Sequence, residues 1–453
     1  MSGAPTTYAR RLGLFDGTMV VIGGIIGAGI FLNPAIVAQR LPTPAWILAA
    51  WVAGGVVAVL GALCFAELGA RRPAAGGGYV YLRDAFGPLA AFLYGWTLLL
   101  VIGSGAIAAV AVTFARYATD LLQLQPGAVS LLAIGAIVLL TAVNYIGVRA
   151  GATTENVFTV LKLLALAALI GAAFVGRAAL APAGAAAPPA SPVTPGAGGL
   201  VVAFGAALIP ILFSYGGWQQ ANFIAEEMLE PRRNLPRALL LGVAAVVIVY
   251  VLANVAYLAT LGPARLAASL APASETMRAR LGTIGGTLIA AGIVASTFGF
   301  LNLVVLVTPR VYQAMADDGL FFGWAAHLHP RFRTPSGALL FQAAWSIVLL
   351  LSGTYGQLLD YVVFGDWIFF GLVVATLFVY RRRDAVGDEI PFRTPGFPLV
   401  PGAFVAVALY VVVSSIGSNP RNAAVGAALI AAGVPVFLLW RRRGAAPAPH
   451  SNG

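Results

Sequence analysis

Charged residues are scarce in this sequence. Only 9% of its 453 residues are charged, whereas 60% are hydrophobic and the mean hydropathy is +0.90. A soluble globular domain carries about 25% charged residues. Apolar runs long enough to cross a bilayer as helices recur along the whole chain. The composition therefore predicts an all-α polytopic membrane protein and argues against a soluble globular domain.

Cysteine, histidine and catalytic motifs are also scarce. The single cysteine, Cys64, lies in an apolar run and cannot form an intramolecular disulfide, and the three histidines, His327, His329 and His450, have no partners at metal-ligand spacing. No nucleophile elbow, phosphate-binding loop or dinucleotide fingerprint stands in a supporting context. We therefore expect no enzyme activity, no cofactor and no metal site. Since the net charge of +11 comes from arginines placed mostly between apolar runs, we expect no nucleic-acid partner either.

Twelve apolar runs divide the chain. If the amino terminus is cytoplasmic, 19 of the 26 arginines fall in cytoplasmic segments and 7 in outer segments, which agrees with the positive-inside rule. Both termini are therefore expected in the cytoplasm, and the bilayer of the cell membrane is the expected surroundings. The predicted segments are a cytoplasmic tail (1–12), a ten-helix core (13–380) made of two repeats (13–176 and 200–380) joined by an Ala-, Pro- and Gly-rich connection (178–199), helices 11 and 12 (397–440) and a second tail (441–453).

Two glycine-rich interruptions lie inside apolar runs. The first is VVIGGIIGAGIFLNP, Val20–Pro34, and the second is FSYGGW, Phe213–Trp218, with Pro210 one turn upstream. Glycine weakens a helix by about 1 kcal/mol relative to alanine, and non-helical backbone at membrane depth needs polar partners. Close packing of helices through small residues is the alternative for either stretch alone. Two interrupted helices at corresponding positions of two halves instead indicate the binding site of a transporter.

The ends of the half-helices predict what such a site binds. A half-helix that starts at Ala28–Gly29 presents free amides and the positive end of its dipole, which suits a carboxylate. Half-helices that end near Ile25 and near Phe213 present free carbonyls, which suit an ammonium group. The ligand side chain would then enter the space left by Gly216 and Gly217. The predicted substrate-binding residues are Ile25, Gly27, Ala28, Gly29, Phe213, Ser214, Gly216 and Trp218.

Three polar residues inside apolar runs are further candidates. Lys162, the only lysine, lies in predicted span 5, Asn156–Gly176, where we expect it to occupy the place of a coupling sodium; snorkelling to the membrane surface is the alternative. Asp366 in span 10 is expected to pair with a buried donor, to carry a proton or to cap a local kink. Ser296 in span 8 either lines the substrate path or forms a hydrogen bond to its own backbone or across helices.

A run of acids and arginines follows the second interruption. We interpret it as a structural ion network that anchors the cytoplasmic end of span 6. Its members are Glu226, Glu227, Glu230, Arg232, Arg233 and Arg237.

These stretches match the motifs of a known family. GxxGxGIF (Gly24–Phe31) and FSYGGWxxxNFIAEEMxxPRRNLPRA (Phe213–Ala238) resemble the amino acid–polyamine–organocation transporters, and most of all their L-type amino acid transporter branch. The resemblance covers nearly the whole chain. It implies the LeuT-type fold, in which spans 1–5 and 6–10 are inverted repeats, spans 1 and 6 are unwound and two helices are appended. It also implies sodium-independent transport of L-amino acids by alternating access, commonly as exchange.

The resemblance also implies roles for particular residues. The amides of residues 27–29 would hold the substrate carboxylate, and the carbonyls near Ile25, Phe213 and Gly216 would hold its amino group. Phe213 resembles the gating aromatic of the family. Lys162 matches the lysine that stands where sodium-coupled relatives bind an ion.

Two departures from the family pattern matter. Animal members join a glycoprotein partner through a cysteine after span 3, whereas the loop Tyr117–Gly127 contains none, so no disulfide-linked accessory subunit is expected. Ala28 stands where serine is common, so that only its backbone can bind. Gln219 and Gln220 follow Trp218 at positions that vary among relatives, which leaves the preferred side chain open.

The function expected from the sequence is transport of neutral L-amino acids, as an exchanger, a uniporter or a proton-linked carrier. A cationic amino acid or polyamine carrier on the same fold is the alternative, and Asp366 is the residue in its favour. A non-transporting sensor would need an output domain, and the expected tails have only about a dozen residues each. An intramembrane enzyme would need clustered catalytic groups, for which Lys162 and Asp366 are too sparse.

Overall fold

The computed structural model describes residues 7–174, 197–353, 355–384, 389–418 and 420–443. Within these ranges all regular structure is helical, apart from one isolated bridge between Leu12 and Met228. The helices are α1 (Leu14–Ile25), α2 (Gly29–Arg40), α3 (Pro44–Arg71), α4 (Gly78–Phe86), α5 (Pro88–Thr97), α6 (Ser104–Leu121), α7 (Ala128–Tyr145), α8 (Val148–Ala173), α9 (Ala197–Tyr215), α10 (Pro231–Ala268), α11 (Pro272–Val307), α12 (Pro309–Asp317), α13 (Ser336–Leu351), α14 (Tyr355–Arg383), α15 (Leu399–Ser418), α16 (Pro420–Ala431) and α17 (Gly433–Arg443). A π-helical turn, Leu98–Gly103, joins α5 to α6, and 3₁₀ segments cover Trp218–Glu227 and Gly323–Ala325.

The described helices include ten stretches that are long and apolar enough to cross a membrane. Helices α1 and α2 together form an eleventh, although they meet at an angle of 41°. Helix α13 is apolar but has only 16 residues. The predicted polytopic all-α class is confirmed, and the chain is a multi-pass membrane protein.

Helix α8 is longer at its start than the predicted span 5. Helix α8 begins at Val148 and not at Asn156, because the polar stretch before Asn156 is part of the same helix. Most of the predicted connection, 178–199, and residues 1–6 and 444–453 of the predicted tails lie outside the described residues.

The broken pair α1–α2 occupies the centre of the bundle. It contacts α8, α9, α10 and α11, and the most extensive interfaces join α8 to α11 and α3 to α10. Small residues allow these close approaches, as is usual between membrane helices. On α3, a β-carbon at Gly54 would overlap Ile211, and one at Gly55 would lie 2.8 Å from the Val247 side chain.

Each broken helix contains a proline, and a side chain from elsewhere replaces each missing N–H. Pro34 in α2 cannot donate to the carbonyl of Ile30, which instead accepts a hydrogen bond from the Tyr257 hydroxyl at 3.2 Å. Pro210 in α9 likewise leaves a carbonyl one turn earlier, and the Arg40 guanidinium donates to it. Tertiary contacts therefore satisfy the backbone that the two prolines leave open.

Candidate binding site at two helix breaks

The predicted first break is present. Residues 26–28 separate α1 from α2, and within the break the amide of Gly27 donates to the carbonyl of Ile25 at 2.9 Å. The start of any helix leaves its first amides without an intrahelical acceptor. In the part of the chain that the structure describes, no acceptor is found for the amides of residues 28–30. Free amides at the positive end of a helix dipole are groups that suit an anion.

The second break meets the first through backbone. Helix α9 ends at Tyr215, and Gly217 has a φ of 111°, in the left-handed region that favours glycine. A β-carbon on Gly217 would overlap the carbonyl oxygen of Gly24, and one on Gly24 would lie 2.8 Å from the carbonyl oxygen of Gly217. One glycine of each pair, Gly24 and Gly217, therefore serves the contact between the two breaks.

Tyr250 of α10 joins the two breaks through its hydroxyl. This hydroxyl lies 3.0 Å from the carbonyl oxygen of Ile25 and 3.2 Å from that of Ser214, and the side chain is buried. Its ring packs on Tyr215 at a centroid distance of 5.0 Å. Tyr250 is not among the predicted site residues, and its only signal in the sequence is a tyrosine in the middle of an apolar run.

The predicted site residue Ser214 ties α9 to α2. Its hydroxyl donates to the carbonyl of Pro210 at 2.8 Å and accepts from Nδ2 of Asn33 at 2.7 Å. A β-carbon on Gly29 would lie 2.7 Å from the Ser214 hydroxyl oxygen, so glycine is needed for this approach. In this arrangement the Ser214 hydroxyl holds helices together.

Lys162 is completely buried against the first break. Its Nζ lies 3.1 Å from the carbonyl oxygen of Gly23 and 3.1 Å from that of Ile26, so the snorkelling alternative is wrong. The hydroxyl of Ser296 donates to the same Ile26 carbonyl at 3.3 Å and lies 3.5 Å from that of Gly27. The structure thus brings both predicted residues to the carbonyls that α1 leaves open.

A buried carboxylate, Glu155, lies about two helical turns before Lys162 in α8 and was also missed. The predicted span 5 begins at Asn156 and so leaves Glu155 outside the membrane. In the structure it is fully buried in α8, where it accepts hydrogen bonds from Thr159 at 3.0 Å and from Asn302 at 3.1 Å. A mixed polar and apolar sequence at the start of a helix hides such a residue from hydropathy.

Trp218 and Gly216 line a small apolar pocket at the second break. The Trp218 ring is buried and packs on Phe65 at a centroid distance of 4.9 Å and on Phe370 at 5.8 Å. The Phe213 side chain is not part of the lining of this pocket and is 44% exposed. Its carbonyl accepts a hydrogen bond from the Gly216 amide at 3.2 Å. The residues that line the pocket are Val57, Ala58, Leu212, Tyr215, Gly216, Trp218, Trp367, Phe370 and Phe404.

Asp366 lies in α14, where the neighbouring Gly365 packs near Thr97 and Ile102. No residue of the described chain donates a hydrogen bond to its carboxylate, so the predicted buried donor is not found. Helix α14 continues through this position without a break. The structure does not bring Asp366 into contact with either break.

The expected ion network after the second break is largely wrong. Its one ion pair between described members is the exposed pair Glu230–Arg233 at 3.4 Å. Glu227 instead pairs at 2.8 Å with Arg310 of α12, and both side chains are completely buried. The backbone amide of Leu12 donates to the Glu227 carbonyl at 3.0 Å, so the chain before α1 is held at the same point.

Comparisons with known proteins show the family of the chain. The sequence model of the family described as Amino acid permease matches residues 12–440. The b(0,+)-type amino acid transporter 1 of Mus musculus is 33% identical over 423 residues, which cover 92% of this chain and 84% of that protein. The Asc-type amino acid transporter 1 of Mus musculus is 33% identical over 447 residues (96% and 82%), and the large neutral amino acids transporter small subunit 2 of Homo sapiens is 33% identical over 458 residues (97% and 83%). The chain therefore belongs to the amino acid permease family of the amino acid–polyamine–organocation superfamily.

Proposed function

We propose that this protein transports neutral L-amino acids, independently of sodium, by alternating access. The observation that carries the proposal is the contact of two helix breaks, which places the open amides of residues 28–30 beside the carbonyl end of α9. Amides at a helix start suit a carboxylate, and carbonyls at a helix end suit an ammonium group. Amino acid transporters among the chain's relatives support the same substrate class.

The amino group is assigned to the carbonyls of Phe213 and Gly216 first. Among described residues, the Phe213 carbonyl accepts only the Gly216 amide outside its own helix, and the Gly216 carbonyl has no donor. The Ile25 carbonyl already accepts from Gly27 and from Tyr250, so it joins the site when one of these donors moves. Substrate binding would then act on the same groups that hold the breaks together.

The apolar pocket favours a neutral side chain over a cationic one. Its lining includes no carboxylate, and its volume of about 10 Å³ would have to increase to admit a side chain. A cationic amino acid or a polyamine would need an acid here, because an unpaired buried charge is costly. Asp366 neighbours Trp367 in sequence but is not part of the lining.

Sodium independence is inferred from Lys162. Its ammonium already binds the carbonyls of Gly23 and Ile26, which are the kind of oxygen ligands that a sodium ion would need. Because the Lys162 ammonium supplies a permanent positive charge at this break, a bound sodium ion is not needed for the charge balance there.

The finer architecture belongs to the same proposal. If α1–α2 counts as one crossing and the short α13 as another, the ten long spans become twelve. The inverted repeats would be 13–176 and 200–380, followed by 397–440, with both termini in the cytoplasm of a cell whose plasma or inner membrane holds the protein. The lack of cysteine in Tyr117–Gly127 supports transport without a disulfide-linked subunit.

Purified protein in liposomes tests the proposal. Labelled neutral and cationic amino acids are added outside vesicles that are empty or loaded with unlabelled amino acid, in sodium or choline buffer at matched pH. We expect uptake of neutral amino acids that needs the internal load and is equal in both buffers, which is exchange. Uptake into empty vesicles that rises with an inward proton gradient would replace exchange by proton-linked transport. No uptake under exchange, proton or voltage gradients would refute a transport function.

A further inference from the structure

Glu155 and Lys162 lie on one face of α8. They are about two helical turns apart, and both side chains are fully buried. The face they share is turned to α1 and α11, since Lys162 binds carbonyls of α1 and Glu155 accepts from Asn302 of α11. Two ionisable groups of opposite charge thus sit behind the first helix break.

The partners of the Glu155 carboxylate are neutral. Thr159 donates to Oε1 at 3.0 Å, and Nδ2 of Asn302 donates to Oε2 at 3.1 Å. Asn302 is fixed in turn, because its Nδ2 also lies 3.1 Å from the Gly151 carbonyl and its Oδ1 accepts from Asn144 of α7 at 3.0 Å. This is a built site for a carboxyl group, with donors from two helices.

Helix α1 closes the site. A β-carbon on Gly23 would overlap Oε1 of Glu155, so the carboxyl group rests directly on the α1 backbone. The groups that face Glu155 from the packed helices are therefore the Gly23 backbone of α1, Asn302 of α11 and, behind it, Asn144 of α7. The charged side chains nearby are Lys162, about two turns along α8, and Asp16 of α1, which accepts from Asn156 of α8 at 2.7 Å.

We propose that Glu155 is a proton-binding residue of the transport cycle, coupled to Lys162 through the docking of α1. This inference rests on the proposed transport function. The step is a simple protonation: an O–H bond forms between a carboxylate oxygen and a proton from water, and the same bond breaks when the proton returns to water.

The coupling follows from what α1 contributes. With α1 docked, the Lys162 ammonium is held by the Gly23 and Ile26 carbonyls at 3.1 Å each, and Glu155 is sealed. When α1 moves away, Lys162 loses both acceptors, and Glu155 becomes its nearest counter-charge. Because buried charges must be paired, the protonation of Glu155 changes at the step that moves α1. Proton exchange with water is open only in that step.

The test compares E155Q with the exposed control E230Q. Glutamine keeps the size of the side chain, and its amide oxygen can face Asn302 while its nitrogen faces Thr159. Exchange of labelled L-alanine and L-leucine is measured in proteoliposomes across the pH range. We expect wild type and E230Q, whose native side chain is 68% exposed, to share one pH-dependent profile, and E155Q to be constant within about twofold. An E155Q profile that follows the wild type, or a wild type that is independent of pH, would overturn the proposal.

A second readout does not depend on transport. Infrared difference spectra between two pH values should show the carbonyl-stretch band of a buried carboxylic acid in wild type and E230Q, and this band should be missing in E155Q. If E155Q does not fold, E155D decides, because a displaced band supports the assignment to Glu155 and an unchanged band overturns it. Should wild type move no amino acid and yet show the band, the transport function has failed and the proton site has not.

Discussion

Replacing Tyr250 by phenylalanine removes the one hydroxyl of the described residues that touches both helix breaks. A tyrosine hydroxyl has a single proton, which the carbonyls of Ile25 (3.0 Å) and Ser214 (3.2 Å) share. The Ile25 carbonyl keeps the Gly27 amide as a donor, so the loss falls mainly on Ser214. A side-chain hydrogen bond in a membrane protein contributes about 0.6 kcal/mol on average and up to about 1.7 kcal/mol. We take about 1 kcal/mol, which corresponds to about a fivefold change in the population of the state with joined breaks.

Tyr215→Phe is the matched control. Tyr215 is a buried tyrosine whose ring packs on Tyr250, but its hydroxyl has no hydrogen-bond partner among the described residues. Its loss should therefore leave stability unchanged or slightly raised.

Exchange in proteoliposomes and thermal unfolding in detergent measure both variants. We expect Tyr250→Phe to change the exchange rate about fivefold and to lower the melting temperature, with Tyr215→Phe close to wild type. If the two variants agree within about twofold, the hydroxyl of Tyr250 does not couple the breaks and the reasoning fails.

Three further outcomes are expected. Gly217→Ala should abolish the monodisperse peak in size-exclusion chromatography, because the φ of Gly217 is 111° and its β-carbon would overlap the other break. Gly27→Ala should retain the peak, because the β-carbon at Gly27 would lie 3.6 Å from a phenylalanine ring. Equal yields of the two variants would contradict this prediction. Trp218→Ala should enlarge the apolar pocket, so that competition by large neutral amino acids increases relative to small ones; an unchanged order of competitors would separate this pocket from the substrate. A hydrogen bond from Arg71 at 2.9 Å holds the pKa of Asp384 below its ordinary 3.8. The stabilisation by Asp384 is therefore complete above that value and is lost as the pH falls below it, so the melting temperature of wild type should approach that of Asp384→Asn between about pH 4 and pH 2; a constant difference would contradict the pKa assignment.

Much of the fold could be predicted from local sequence. Hydropathy is a property of each run by itself, so the existence of the membrane-spanning helices follows from it, whereas polar first turns such as the one at Val148 do not. The two breaks also follow, because glycine pairs and a proline inside an apolar run are unfavourable for an unbroken helix wherever they lie. A requirement for polar partners around Lys162 could also be predicted, because a lysine within a membrane span is costly without them.

Residues whose role depends on contacts between distant helices could not be predicted. In the sequence, Tyr250 is one more aromatic residue of an apolar run. Only the packing of α10 against both breaks brings its hydroxyl within hydrogen-bond distance of the carbonyls of Ile25 and Ser214. Glu227 was assigned to arginines nearby in sequence, yet it pairs with Arg310 of α12. Asp366 was expected to have a donor, and the packing of α14 supplies none among the described residues.

The sequence by itself determined that the chain crosses a membrane many times, that two of its helices are interrupted and that one lysine lies within a span. Each of these features depends on hydropathy or on the conformations that glycine and proline favour. Only the tertiary structure decided which groups satisfy the interrupted backbone. Tyr257 and Arg40 replace the N–H groups that two prolines lack, Lys162 takes the carbonyls of the first break, and Glu155 comes to rest on Gly23. These partners are far apart along the chain, and a polar group buried in a membrane accepts any donor that packing brings within reach.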